Sequence, residues 1–318
     1  MARRPTKVYN PPMPAQVRVF APGSVGNVGP GFDILGLAVD GAGDTVWAQR
    51  TERPGVVIAE PGHPDLPTDP AAHTSGIAAT EVLRRAGAEF GLTLRVEKGL
   101  PLCGGQGGSA ASAVAGAVAA KLLLDQPLDP SILLAAALEA EAVVSGRHAD
   151  NVVAILLGGL VLIRSLQPLE VIRLPVPAAL RVVLAHPAHA MATRAGRAVL
   201  PAQLSREDAV HQAAQVGALV AAAHSGDLEL LGRAIEDRIA EPARAPLLPG
   251  FVEAKAAALA AGALGCSISG SGPTAFALVR DPAAGAVVAQ AMEAAYRRGG
   301  VACTARVAAP DLAGARAL

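Results

Sequence analysis

The stretch Gly104-Gly105-Gln106-Gly107-Gly108-Ser109, running directly into residues 110–124, constrains the fold more than any other part of the chain. Four glycines in five residues let the backbone turn sharply and approach a ligand with no side chain in the way. The Ala-rich run behind them is a strong helix former and carries no charge before Lys121. Such a helix is predicted to be buried on nearly every side, and it is too short and small-residued to span a membrane. A glycine loop opening a helix offers unpaired N–H groups and the positive end of the helix dipole to an anion. The expectation is a phosphate-binding loop on a central buried helix.

The composition suits that core: 52% of residues are hydrophobic and only 3% aromatic, so it is built mainly from Ala, Val and Leu. At 318 residues the chain is long enough for two domains. Twenty-seven Lys and Arg balance twenty-seven Asp and Glu, and no dense basic run follows Arg3, Arg4 and Lys7, so no nucleic-acid partner is expected. Cys103, Cys266 and Cys303 are odd in number, far apart and without metal-ligand spacing. They read as reduced thiols of a cytoplasmic protein rather than a disulfide framework or zinc site. Residues 1–15 are polar and Pro-rich, a tail without the apolar core of a signal peptide, and no membrane association is expected.

Residues 16–20 alternate like a strand. From Pro22 to Gly36 the chain is rich in turn residues. It reads either as a Gly/Pro connector or, with Asn27 and Asp33 flanking so many turn formers, as a binding loop. Strands are predicted at 45–51, 56–59 and 92–97, a helix at about 73–90, and a second helix from Asp129-Pro130 to about Val144. On that helix Glu141 shares the apolar stripe of Leu134, Ala137 and Leu138, whereas Glu139 lies about 200° round and is solvated. A carboxylate on an apolar stripe needs a partner, which a metal ion or a Lys would supply. Ser145-Gly146-Arg147-His148-Ala149-Asp150-Asn151 is a polar turn in which Asp150 either caps a short helix or serves a site. A strand at 160–163 precedes a Pro-containing stretch at 167–177, the best domain boundary, with domains expected at 16–168 and 169–318. Beyond it strands are expected at 181–185, 275–279 and 302–307. Helices are expected near 192–199, 206–224, 227–239, 249–261 and 284–298, an α+β second half.

Gly105-x-Gly107-x-x-Ala110 with Asp125 fits a relaxed dinucleotide fingerprint, but no strand separates the helix from Asp125, and no Gly-Lys-Ser/Thr makes a P-loop. Three glycine-rich loops, at 22–36, 104–109 and 267–274, are harder to explain as connectors than one. In this order and at these separations they resemble the three motifs of the GHMP kinases, and within them the homoserine kinase family. The segments 146–159, Arg197-Ala198-Val199-Leu200-Pro201, Glu241-Pro242-Ala243-Arg244 and Leu247-Leu248-Pro249-Gly250-Phe251 are similar as well, so the resemblance covers residues 16 to 316. It departs at the second motif, where the usual Gly-Leu-Gly-Ser-Ser-Ala stands as Gly105-Gln106-Gly107-Gly108-Ser109-Ala110.

The resemblance implies a two-domain α+β GHMP kinase fold, with an N-terminal domain like domain 2 of ribosomal protein S5 and a ferredoxin-like C-terminal domain. It implies Mg-ATP-dependent phosphorylation of the L-homoserine hydroxyl, a step of threonine biosynthesis, by a homodimer. Gly104, Gly105, Gln106, Gly107, Gly108 and Ser109 would surround the ATP phosphates, with Ser269, Gly270 and Gly272 closing the site. Ser109 and Glu141 would hold Mg²⁺. Asp33 would take the substrate ammonium and Arg197 and Arg244 its carboxylate, with Asn27, His148 and Asn151 completing the pocket. Ser109, Glu141 and Arg197 would carry catalysis, by direct transfer with electrostatic stabilisation. Taken without the resemblance, the two arginines read as solvated helix-face charges. Two alternatives stay open: a related kinase acting on mevalonate or a sugar, and a catalytically weak relative that senses nucleotide or amino acid.

Overall fold

The computed structural model describes residues 15–318, so the expected tail lies outside the described residues except for Ala15. The first unit is a seven-stranded sheet. β1 (Gln16–Gly26), β2 (Leu35–Thr51), β3 (Gly55–Glu60) and β4 (Gly91–Glu97) run in the order β1-β2-β4-β3, and α1 (Thr74–Ala86) makes the crossover that lets β3 and β4 pair in parallel. Alternation decides which face is buried: Leu92, Leu94 and Val96 of β4 lie in the core, while Arg95 and Glu97 face solvent.

Across this sheet lies α2 (Gly108–Leu122), every residue from Ala110 to Ala120 buried as its uncharged sequence predicts. It packs on β1 and β2 among α1, α3 (Pro130–Val144) and α4 (Asp150–Leu157). Gly116 brings α1 close, since a Cβ there would lie 2.8 Å from Ser75 Cα. The small residues therefore let backbones approach where larger side chains would hold them apart.

The first sheet continues past the expected division at 168/169. β5 (Leu160–Leu166) pairs with the start of β2, and β6 (Leu169–Leu174) folds back on β5. The Pro-containing stretch that reads as a boundary holds a hairpin: β6 pairs with β5, packing Leu169 and Val171 on the core of the first unit and Leu174 on the core shared with the second.

The second unit holds β7 (Arg181–Pro187), then five helices, α5 (Thr193–Ala198), α6 (Arg206–Ser225), α7 (Leu228–Arg233), α8 (Ala240–Arg244) and α9 (Phe251–Ala260). β8 (Gly265–Ile268), β9 (Ala275–Val279), α10 (Pro282–Arg298), β10 (Cys303–Ala308) and the short β11 (Arg316–Ala317) follow, β11 returning to pair with β1. The antiparallel order β10-β7-β9-β8 is the ferredoxin-like arrangement. One face, with Val183, Ala185 and Ala277, packs on α9 and α10 through Phe251, Met292 and Tyr296. The opposite face, with Val182, Leu184, Phe276 and Leu278, shares a core with Leu219 and Leu231 and with Val25, Leu35 and Leu37 of the first unit. The two units are thus joined by a continuous apolar seam.

The helix expected at 227–239 ends at Arg233. Asp237 interrupts it by accepting the N–H groups of Ile239, Ala240 and Glu241, which starts α8 afresh.

Candidate active site

The glycine loop is held by its carbonyls. Met191 N donates to Cys103 O (3.4 Å), Thr274 Oγ1 to Gly104 O (2.5 Å), Ser269 Oγ to Gly105 O (2.6 Å) and Ser24 N to Gln106 O (3.1 Å). Ala111 N donates to Gly107 O and Lys98 Nζ to Gly108 O, at 2.8 and 2.9 Å. Six successive carbonyls are engaged by the protein, and no side chain caps the start of α2, so the N–H groups of Gly108, Ser109 and Ala110 at its first turn are left for an anion. Gly105 and Gly107 have φ of 75° and 71° and no room for a Cβ: at 105 it would lie 2.7 Å from Gly272 O and Ser269 O, and at 107 it would strike Ser24 Oγ. Gly108 is different. A Cβ there meets nothing nearer than Pro101 O at 3.4 Å, so neither space nor φ demands glycine.

Beside the loop, α3 delivers Glu141 at 6% exposure. Burial pushes its carboxyl above the ordinary range, countered in part by the Ser145 and Ser109 hydroxyls and by the charge of Lys98. Ser145 Oγ donates to Oε2 at 2.7 Å, while Oε1 is buried with no hydrogen-bond partner. Glu139 instead faces solvent and pairs with Arg147 at 3.1 Å. An oxygen-seeking divalent cation beside Ser109 would satisfy Glu141 Oε1. Among the described residues no cluster of three or more His, Cys, Asp or Glu gathers to cage an ion. One carboxylate, one hydroxyl and otherwise phosphate and water oxygens is a donor set that fits Mg²⁺.

Lys98, which the sequence reading missed, is buried against Asp44 as an ion pair and also donates to Ser112 Oγ at 3.1 Å. Asp44 further accepts Ser112 Oγ at 2.7 Å and the N–H groups of Gly99 and Leu100. This network fixes the strand end that leads into the glycine loop.

The turn between β1 and β2 builds a second basket. Asn27, Val28 and Asp33 have φ of 66°, 46° and 60°, a strained region for residues with a Cβ and most so for Val. Three bonds hold Asn27 there. Its N–H donates to Asp150 Oδ2 (3.1 Å), its Nδ2 to Gly270 O (3.1 Å), and its Oδ1 accepts Asp33 N (3.0 Å). Asp33 is presented to Arg197 Nη2 at 2.5 Å, with His148 Nδ1 at 3.7 Å from its other oxygen. Burial and the arginine charge lower the His148 pKa, against the opposing charge of Asp33. Arg244, from α8, is 2% exposed and donates to Gly196 O and Gly270 O at 2.9 and 2.8 Å. Both guanidiniums lie over the ring of Phe32, at 5.1 and 5.5 Å from its centre, within cation–π range. Asp150 is 2% exposed, and burial together with the charge of Asp33 raises its pKa to about 6.

The chain matches the GHMP kinases N terminal domain over residues 73–159 and the GHMP kinases C terminal domain over 219–298. It is 43% identical over 293 residues to the homoserine kinase of Chlorobium phaeovibrioides, covering 88% of this chain and 92% of that one. The chain belongs to the homoserine kinase family. Among other homoserine kinases, that of Xylella fastidiosa is 42% identical over 298 residues, covering 91% and 90% of the two chains. The crystal structure of homoserine kinase from Cytophaga hutchinsonii superposes with a TM-score of 0.94 at 41% identity, covering 98% of this chain and all of that one. Mevalonate kinase of L. major in complex with R-mevalonate, 17% identical with a TM-score of 0.69 over 96% of this chain, shares the fold.

In this homoserine kinase scaffold Asp33, His148, Arg197 and Arg244 converge, as do Ser109 and Glu141. Asn27 spends its amide inside the protein, and Asn151 Oδ1 accepts Ser24 Oγ at 2.8 Å. The Gln106 side chain turns into the seam between the two units. Ser269 and Gly270 reach the site through their contacts with Gly105, Asn27 and Arg244. Asp150 does not cap α4, whose N-cap is Ala149. Phe32, Ser24 and Lys98 went unread because an aromatic, a Ser and a Lys beside turns carry no spacing signal of their own.

Proposed function

We propose that the protein transfers the γ-phosphoryl group of ATP to the side-chain hydroxyl of L-homoserine, a reaction of threonine biosynthesis. The observation that carries this reading is the Asp33–Arg197 pair, backed by Arg244 over Phe32, set beside the open first turn of α2. A zwitterion inserted into that pair exchanges one ion pair for two, ammonium to Asp33 and carboxylate to the guanidiniums, which match a carboxylate in a fork. Mevalonate or a sugar has no ammonium to satisfy Asp33.

The first turn of α2 and Ser109 cradle the nucleotide phosphates, and Ser109 and Glu141 hold Mg²⁺, which supplies neutralisation of phosphate charge when bound. The arginine fork and Asp33 fix both charged ends of the amino acid, leaving its hydroxyl as the one free end to be aimed at the γ-phosphorus. The substrate oxygen bonds to phosphorus, the bond to the β,γ-bridging oxygen breaks, and the hydroxyl proton leaves on a phosphoryl oxygen. Positioning and charge stabilisation carry the step, since Asp33 is occupied by the ammonium.

The assembly expected is a homodimer in the cytoplasm, and sedimentation tests the first of these. No helix among the described residues is long and apolar enough to cross a membrane. A coupled assay of ADP release across hydroxyl substrates tests the activity. Homoserine should be turned over, and mevalonate and galactose should not. Equal turnover of mevalonate overturns the substrate, and no turnover of any supports the sensing relative.

A further inference from the structure

Gln106 is the one residue between Gly104 and Gly108 that has a side chain, and the residue is only 5% exposed. Its neighbours at 105 and 107 sit at positive φ and anchor the loop only through their carbonyls. Nε2 of Gln106 donates to Thr274 Oγ1 at 3.3 Å, and Oε1 accepts Arg306 Nη2 at 3.3 Å. The accounting around Thr274 is complete. Its hydroxyl hydrogen goes to Gly104 O, and its two lone pairs accept Gln106 Nε2 and His186 Nδ1, the latter at 3.0 Å. His186 must therefore carry its proton on Nδ1.

Arg306, on β10, has neutral acceptors: Nη1 donates to Asp40 O at 2.5 Å and Nη2 to Gln106. Burial works against its charge, and a Leu at 106, as the family usually has, would leave one of its N–H groups unpaired in the seam. Gln106 and Arg306 thus depend on each other. The same side chain ties the loop to both strands that face it, β10 through Arg306 and the start of β9 through Thr274.

We propose that Gln106 and Arg306 form a latch that fastens the phosphate loop to the second domain and so sets the affinity for nucleotide. The proposal rests on the assignment of this loop to the nucleotide phosphates. Both are positioning residues, acting through the backbone N–H groups at 108–110. A loop of glycines loses more freedom on ordering than any other segment of its length, and the latch removes part of that loss before nucleotide arrives.

The test compares the parent with Q106L, R306L and Q106L/R306L. ATP affinity is measured by calorimetry without homoserine, homoserine KM at saturating ATP, and the thermal midpoint alongside. Releasing the loop from the second domain should weaken ATP binding by about tenfold in Q106L. Homoserine KM should stay within about twofold, because the substrate basket hangs on Asn27 and Asp150 instead. The double variant should bind ATP about as weakly as Q106L, because either single change already opens the latch. Parent-like ATP affinity in Q106L, equal weakening towards ATP and homoserine, or losses from the two changes that simply add in the double variant would each overturn the latch. If Q106L fails to fold, R306L decides: unchanged ATP affinity there overturns it as well. Calorimetry needs no acceptor, so a parent that binds ATP yet leaves homoserine unphosphorylated refutes the substrate and not the latch.

Discussion

Asp33→Asn isolates the charge proposed to recognise the ammonium while disturbing little else. Asp33 sits at a φ of 60°, a conformation Asn adopts at least as readily, and the bond that holds it there is made by its backbone N–H to Asn27 Oδ1. In the free protein the carboxylate meets Arg197 at 2.5 Å, with side chains 30% and 28% exposed. Two unit charges about 4 Å apart interact by about 4 kcal/mol at the effective dielectric typical near a surface. Truncating one partner of a close charge pair costs roughly 2–5 kcal/mol, and the partial exposure here selects the lower half of that range. A loss of about 2–3 kcal/mol corresponds to a fall of roughly 30- to 150-fold in kcat/KM for homoserine. The comparator is 4-hydroxybutyrate, which keeps the carboxylate and hydroxyl but has no amine. It should be a poor substrate of the parent and should lose much less on Asp33→Asn, with ATP affinity unchanged in both cases. Equal turnover of the two compounds by the parent, or equal losses in the variant, would refute the ammonium assignment.

Glu141→Gln should lower kcat by on the order of 10² by removing a buried charge that neighbours the phosphates, while Glu139→Gln, which breaks only a solvated pair with Arg147, should be nearly silent; steady-state kinetics of both decides. Gly108→Ser should leave ATP KM level or lower it, because the site has room for a Cβ, and a large rise would mean that the loop follows another path. Asp150 holds its proton to about pH 6 when folded and to near its ordinary 3.8 when unfolded, so the folded state binds more protons between the two. Stability should therefore fall by about 3 kcal/mol as pH rises from about 4 to 6, and chemical denaturation of Asp150→Asn should show that slope removed.

The buried helix and its glycine loop were legible because composition alone fixes them: no charge before Lys121 leaves only a core position, and clustered glycines at a helix start leave few other uses. Glu141 and Glu139 were separable by angle on one helix, since a period of 3.6 residues is a property of the sequence. Long-range relations were not legible. β6 looked like a boundary because its pairing partner is defined only once β5 folds back, and α8 was merged with α7 because Asp237 stops one helix and starts the next through contacts on its own C-terminal side. Lys98 and Asp44 stand 54 residues apart, and Gln106 and Arg306 stand 200 apart, so no local pattern could join either pair. Phe32 gained meaning only when two arginines from separate helices were brought over its ring.

Five carboxylates are buried among the described residues, and the partners of their oxygens sort them by purpose. Asp44 has Lys98, Ser112 and two backbone N–H groups. Asp237 has Gln212 and the first turn of α8, and Asp311 has Arg316 and the N–H groups of Ala313 and Gly314. Both oxygens of each are satisfied, so these three contribute to the scaffold and have nothing left to offer a ligand. Glu141 Oε1 and Asp150 Oδ1 are buried and unpartnered, a state that costs free energy in the free protein. Burial raises the pKa of both, which marks the same unmet demand for positive charge. Glu141 lies beside the phosphate loop, and Asp150 lies behind Asp33 and Arg197, so the two unmet demands fall one in each basket. On the proposed reading a metal-bound nucleotide would answer the first, and an ammonium held by Asp33 would place positive charge near the second. Each ligand would return its own share of the cost carried by the empty protein, and the two shares fall in separate places, Glu141 beside the phosphate loop and Asp150 beside Asp33.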